Sequence, residues 1–331
     1  MPYKETVMQI PRELKYNIKH RWGTQLALLV AYTLLVIFFS ITSPVFFSFR
    51  NFMNILSYSS VIGVTSVAMC FGIISGSLDL SVGSVIALTG IVVAQVIPGV
   101  GTFWAILAGL GMGVLCGAFN GFIITQGKIV PMIATLGTMS VFRGITYLLA
   151  DGKSIMITNN AFKQIGRAYI AKAIPVPVII LISMFVIGWL ILNKTVFGRT
   201  LHSIGGNSKA SYLAGINIKL NRFITFIVIS VMASMSGIVA TAQTGAGIPQ
   251  AATGTELDIV AAVILGGTSL AGGKGSMVGT FLGLLILGTL SNGMVMLNIP
   301  SFWQMVAKGV VLILAVYIDV LRGGGFERFE S

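Results

Sequence analysis

The sequence predicts an all-α, polytopic membrane protein of about ten transmembrane helices, and three observations carry that prediction. Only 9% of the 331 residues are charged and 55% are hydrophobic, where an average soluble domain is about 25% charged. Mean hydropathy is +0.94. Asp, Glu, Lys and Arg are absent from 22–49, 51–78, 80–127, 223–255 and 275–307, each window longer than the roughly 20 apolar residues that a spanning helix needs. Together these features exclude a disordered chain, a coiled coil and an ordinary soluble globule.

The first helix is expected over 24–42. A basic start (Lys4, Arg12, Lys15, Lys19, Arg21) precedes it. Its apolar run is too long for a signal peptide and lacks a small-residue cleavage site, so it reads as an uncleaved span. The second helix is expected over 52–73. The 48-residue window 80–127 holds two spans, 81–98 and 103–125, with Pro98-Gly99 as the turn. Further helices are expected over 130–150, 174–193, 222–243, 257–273, 275–297 and 302–320. The third and eighth are the candidates for broken or re-entrant helices, a form tolerated only where protein or a cavity covers the backbone.

Charge placement sets the expected orientation. With the N-terminus inside, 14 of the 21 basic residues fall in cytoplasmic segments. The outside receives Arg50, Lys153, Lys163, Arg167 and Lys172, and Arg143 and Lys308 fall within spans. This satisfies the positive-inside rule and places both termini in the cytoplasm. The net charge of +12 therefore reads as basic loops against membrane lipid, not as nucleic-acid binding. Two loops exceed connector length: 151–172, expected outside, and 194–221, expected inside. Within the second, Gly205-Gly206-Asn207 precedes Ser208-Lys209-Ala210-Ser211-Tyr212-Leu213-Ala214. Asn207 there can cap a short helix, which makes the loop a candidate docking surface.

The chain reads as one transmembrane domain, 1–331, with repeat halves at about 52–150 and 222–320. Leu78-Asp79-Leu80, Asn120-Gly121, Pro131 and Arg143-Gly144 occur in the same order as Leu257-Asp258-Ile259, Asn292-Gly293, Pro300 and Lys308-Gly309. Glycines at spacing four (Gly109, Gly113, Gly117, Gly121; Gly275, Gly279, Gly283) lie along single helix faces, as in small-xxx-small contacts. Corresponding helices are five apart, so the halves are expected to be inverted, as in many transporters.

Intramembrane polar residues are costly and commonly functional. Asp79, Asn120, Arg143, Asp258 and Asn292 are therefore candidates for a substrate pathway. Each also has a structural reading: Asp79 and Glu256 can complement helix N-termini, and Arg143 and Lys308 can snorkel or pair with carboxylates. No catalytic constellation is present. Thr268 to Gly275 fails as a P-loop at its first and last positions, and H-E-x-x-H and G-x-S-x-G are absent. Cys70 and Cys116 lie in apolar windows, and His20 and His202 have no ligand neighbours, so no metal site is expected. The residues alone leave two energy sources open: an ion gradient acting through the carboxylates, or a separate ATPase docked on 194–221.

Ile74-Ser75-Gly76-Ser77-Leu78-Asp79-Leu80-Ser81-Val82-Gly83-Ser84 resembles a motif of bacterial monosaccharide ABC-importer permeases of the ribose type. So do Pro131 to Met139 with Arg143-Gly144, Gly205-Gly206-Asn207 with Ala214-Gly215-Ile216-Asn217, and the long run from Gly254 to Gly275. The resemblance spans about 25–320. It departs at Ser77-Leu78, where many members have Gly-Ile. It implies a permease subunit in the bacterial cytoplasmic membrane, paired with a second copy or a paralogue. It also implies an ABC ATPase subunit that binds the ATP, an extracytoplasmic sugar-binding protein, and no cofactor of the chain's own. By the same resemblance Gly205, Gly206, Asn207, Ala210, Ala214 and Gly215 belong to the segment coupling to the ATPase. An ion-coupled secondary transporter is the alternative that an ATPase partner would exclude.

Overall fold

Apolar runs become helices wherever glycine or proline clusters do not interrupt them. A computed structural model describes the backbone of residues 12–322 and the side chains of 25–321; Lys4 and Arg328 lie outside the described residues. Twelve helices follow in order: α1 (Arg12–Thr42), α2 (Phe49–Ile74), α3 (Val82–Thr125), α4 (Pro131–Leu149), α5 (Asn160–Arg167), α6 (Val176–Lys194), α7 (Val196–Gly206), α8 (Ser208–Leu213), α9 (Ile218–Thr244), α10 (Thr255–Leu265), α11 (Met277–Met296) and α12 (Ser301–Arg322). Two small antiparallel ladders pair β1 (Ile155–Met156) with β4 (Ala246–Gly247) and β2 (Tyr169–Ile170) with β3 (Ile174–Pro175).

Eight of the described helices are long and apolar enough to cross a membrane, so the chain is a polytopic membrane protein. One of the eight, α3, has two arms. Pro98 removes a backbone donor, and Gly101 adopts φ 79°, which breaks the helix where the sequence suggests a turn. The helix expected over 257–273 is corrected. It stops at Leu265, and Gly267, Gly272 and Gly273 turn the chain through positive φ before α11. At 11 residues, α10 is about 16 Å long, half the roughly 30 Å of a bilayer core. The loop expected over 194–221 is largely helical, as α7 and α8.

The small residues do the packing. In lipid no hydrophobic force drives helices together, so close backbone approach must. Gly113, Gly117 and Gly121 press α3 onto α9, through Ser234, Ile227 and Phe223 respectively, while Gly109 takes Val93 and Thr89 of the first arm of α3, with Ile238 of α9 farther off at 3.5 Å. Gly279 and Gly283 press α11 onto α10, against the carbonyls of Gly266 and Ala262. The centre of the core is α2, enclosed by α6, α9, α10 and α11. Helices α5 and α7 lie at opposite ends of α6 and mark the two polar faces of the molecule.

Candidate translocation and coupling site

Two non-helical segments enter the core. The first, 75–81, joins α2 to α3. Its Ser75, Ser77, Asp79 and Ser81 are all buried. A stretch without helical hydrogen bonds must satisfy its polar groups otherwise, and Asp79 supplies the answer. One carboxylate oxygen accepts from the Ser81 amide (2.8 Å) and hydroxyl (2.6 Å). The other accepts from the Asn120 amide nitrogen at 3.3 Å, which also donates to the Ser81 hydroxyl at 2.9 Å. The Leu80 amide donates to Thr135 of α4 (3.2 Å), and Ser84 donates to the Met139 carbonyl (2.8 Å). Asp79 and Asn120, singled out separately in the sequence, thus form one buried brace between α3, α4 and the entering segment.

The second segment, 245–254, joins α9 to α10. Arg143 of α4 holds it, donating to the carbonyls of Pro249 (2.7 Å) and Ala251 (2.8 Å). Glu256 accepts from the Gly254 amide at 3.2 Å. A methyl group on Gly83 would collide with the Glu256 carboxylate and the Ala252 carbonyl. The N-terminal ends of α3 and α10 therefore meet, each entered through a non-helical segment and each gripped by α4. Helix N-termini carry partial positive charge, and Glu256 sits between the two.

The remaining candidates lie elsewhere. Asp258 pairs with Lys308 of α12 at 2.7 Å, beside a crevice of about 10 Å³ lined by Tyr58, Ser59 and Ser291. The carbonyl oxygen of the Asn292 side chain accepts from Asn51 at 3.0 Å, and Asn51 also donates to the Phe46 carbonyl at 3.0 Å. Asp79 lies three residues before α3, while Asp258 lies in the first turn of α10, so these two landmarks hold different places relative to their helices. Sequence reasoning missed Asn51, Ser81 and Thr135. The first sits beside Arg50 at a helix start and reads as a boundary residue; the others are small hydroxyls common in any membrane span. Among the described residues no group of three or more His, Cys, Asp or Glu side chains is placed to hold a metal.

The expected short helix after Asn207 is α8. The Asn207 side chain accepts from the Ala210 amide at 3.0 Å, and the Ser203 and Ser211 hydroxyls tie α7 to α8 at 2.8 Å. Tyr212 and Leu213 project outward, 71% and 84% exposed, beside exposed Lys209, Ala210 and Ala214. An aromatic and an aliphatic side chain exposed beside a cation on a polar face suit a protein partner.

Residues 51–316 match the family described as branched-chain amino acid transport system / permease component. The chain belongs to this family. The permease is 42% identical over 289 residues to the ribose import permease protein RbsC of Bacillus subtilis (strain 168), covering 86% of this chain and 89% of the relative. It is 40% identical over 305 residues to RbsC of Escherichia coli (strain K12), covering 90% and 94%. It is 32% identical over 357 residues to the xylose transport system permease protein XylH of the same strain, covering 88% and 90%. No solved structure matches it significantly. The chain is a transport subunit, as its motifs suggest, and permease components are not themselves enzymes.

The Asp79 brace makes a prediction. Asp79→Ala strips the acceptor from three buried donors and is expected to cost about 3 kcal/mol, read as a lowered Tm in detergent. Asp79→Asn is expected to fold, because Asn120 can turn its amide so that its unpartnered oxygen accepts from the new amide. If the asparagine variant folds but loses uptake, the carboxylate is needed in transport itself; if it transports normally, the brace is structural.

Proposed function

We propose that this permease forms the membrane pathway of an ATP-binding-cassette importer for a monosaccharide of the ribose or xylose kind. The observation that carries the reading is the α7–α8 module. It is a capped, exposed helical segment with a basic and apolar surface, attached to the core at the ends of helices and not to a lipid-facing side. The names of the ribose and xylose relatives favour a sugar over the amino acids in the family description.

In this reading a cytoplasmic ATPase subunit docks on Lys209, Ala210, Tyr212, Leu213 and Ala214, with Gly205, Gly206, Asn207 and Gly215 shaping the segment. A sugar-binding protein delivers its cargo to the α5 face, and a second copy or a paralogue completes the pathway. The protein lies in the bacterial cytoplasmic membrane with both termini inside. Asp79 and Asn120 serve the pathway by holding the start of α3. Arg143 serves it by holding the segment before α10, and Asp258 and Asn292 by fixing α12 and α2 to their neighbours. The meeting of the starts of α3 and α10, each entered through a non-helical segment, is the feature that supports an inverted repeat.

Purification from the native host in mild detergent tests the assignment. A co-purifying P-loop subunit whose ATP hydrolysis depends on this chain is the expected result. Uptake driven by an ion gradient in liposomes holding this chain alone would overturn it. Ala210→Glu, at an exposed position of α8, is expected to leave the amount of permease in the membrane unchanged while abolishing uptake. Normal uptake and normal ATPase retention by this variant would remove α8 from the docking surface.

A further inference from the structure

Helix α7 packs Phe197 and Leu201 into the core, but at Gly205 it meets the core backbone to backbone, with no side chain between. The Ile74 carbonyl, last in α2, accepts from the Gly273 amide at 2.8 Å. A methyl group on Gly205 would overlap that same carbonyl and the Gly273 amide. One on Gly273 would come within 2.8 Å of the Gly206 backbone, and one on Gly272 would sit 3.0 Å from the Gly205 carbonyl. His202, one turn back on α7, closes the junction: its Nδ1 lies 3.0 Å from the Gly273 carbonyl and donates to it in the tautomer that protonates Nδ1. On its far side the 266–276 loop is held by Asp319 of α12, which accepts from the Ser269 hydroxyl (3.2 Å) and the Leu270 amide (3.0 Å).

We propose that Gly205, Gly273 and His202 are positioning residues that transmit movement of the coupling segment at once to the segment entering α3 and to the loop leaving α10. The proposal rests on the importer reading above. The junction touches two chain ends with opposite roles. Ile74 leads directly into 75–81 and the start of α3, and Gly273 belongs to the loop that leaves α10. Those two helices meet at Gly83 and Glu256. A side chain between α7 and Ile74 would act as a soft spacer; backbone against backbone leaves no free travel, because close-packed interiors pass on displacement and do not absorb it. Pull on α7 by an ATPase therefore moves α3 and α10 relative to each other, where the pathway would open.

The test uses the permease with its ATPase and binding-protein partners in proteoliposomes and reads uptake per ATP hydrolysed. Gly205→Ala is expected to lower that ratio by roughly fivefold or more, the lower end of ordinary coupling between sites, while the ATPase subunit still co-purifies. Gly309→Ala, in open space on α12, is expected to change nothing. His202→Ala is expected to lower the ratio about fivefold, the worth of one hydrogen bond, and His202→Gln, which restores an N–H donor, to recover it. An unchanged ratio in Gly205→Ala overturns the proposal. If that variant does not fold, the histidine pair decides: an unchanged ratio in His202→Ala, or a loss that His202→Gln does not recover, overturns it too. If the unaltered permease binds no ATPase, the importer reading itself falls, and this proposal with it.

Discussion

Gly117→Val is expected to remove most folded permease from the membrane, the largest effect of any single substitution on the α3–α9 contact. A Cβ at Gly117 would sit 2.5 Å from the Ile227 Cα and 2.7 Å from the Phe226 carbonyl. Both are backbone atoms of α9, and neither can rotate away. The helices must separate, and the contacts that Gly113 and Gly121 make with α9 along the same face separate with them. Overpacking a core costs about 1–3 kcal/mol where side chains can yield; here none can, and about 3 kcal/mol is the lower bound. Without a hydrophobic force to draw the helices back together, the loss is not recovered by repacking. Gly111 provides the comparison. It lies in the same arm of α3, and a methyl group there would touch nothing within 4 Å. Gly111→Ala is expected to shift Tm little, or upward by the helix propensity gained. Thermal unfolding of both variants in the same detergent checks the pair. Equal Tm values would show that spacing-four glycines on this helix are not its packing face.

The ridge was legible because spacing four is a property of one chain in one helix, and lipid leaves small residues as the main means of close approach. The same holds for the long spans, the Pro98–Gly101 break and the cap at Asn207, each a local signal with a local consequence. Helix α10 was read too long because no charged residue interrupts the chain between Asp258 and Lys274, whereas its end is decided by Gly266 packing against Gly279 and by Gly267 turning left-handed. The first is a contact with α11 that only the fold supplies; the second is a turn that the Gly266-Gly267 pair permits. The candidate site was legible as a set of residues and not as an arrangement. Asp79 and Asn120 were both identified, but their shared hydrogen bond joins positions 41 apart. Arg143 was expected to snorkel or meet a carboxylate and instead holds the carbonyls of Pro249 and Ala251. Carbonyls leave no mark in a sequence, so a backbone partner is invisible until the fold brings it near. Asn292 was separated from Asp79 by the same limit: its partner is Asn51, at the start of α2.

Lys308→Met is expected to loosen α12 more than its small contact area suggests. In the 18-residue window that marks it as a span, only 6% of α12 is buried. Beyond the apolar contact of Val311, Leu312, Ala315 and Val316 with the core, what fixes it is polar: the Lys308–Asp258 pair at 2.7 Å, with both side chains about a fifth exposed, and the Asp319 contacts to the 266–276 loop. Removing Lys308 leaves Asp258 without its cation in a half-buried site whose polar neighbours, Tyr58, Ser59 and Ser291, carry no charge. Breaking a buried pair in that way costs about 3 kcal/mol, less whatever solvent reaches the partly exposed carboxylate. The charge on Asp258, not the missing contact, carries most of that penalty. The double variant Asp258→Asn with Lys308→Met is therefore expected to be more stable than Lys308→Met alone, recovering most of the lost Tm, because two neutral side chains in hydrocarbon cost far less than one unpaired ion. A simple hydrogen-bond latch predicts otherwise: the double variant would then be no more stable than either single one. Unfolding of the three variants and the parent in one detergent measures the coupling energy of the pair. Should stability return in the double variant while uptake does not, the pair has a part in transport beyond holding α12 against α10.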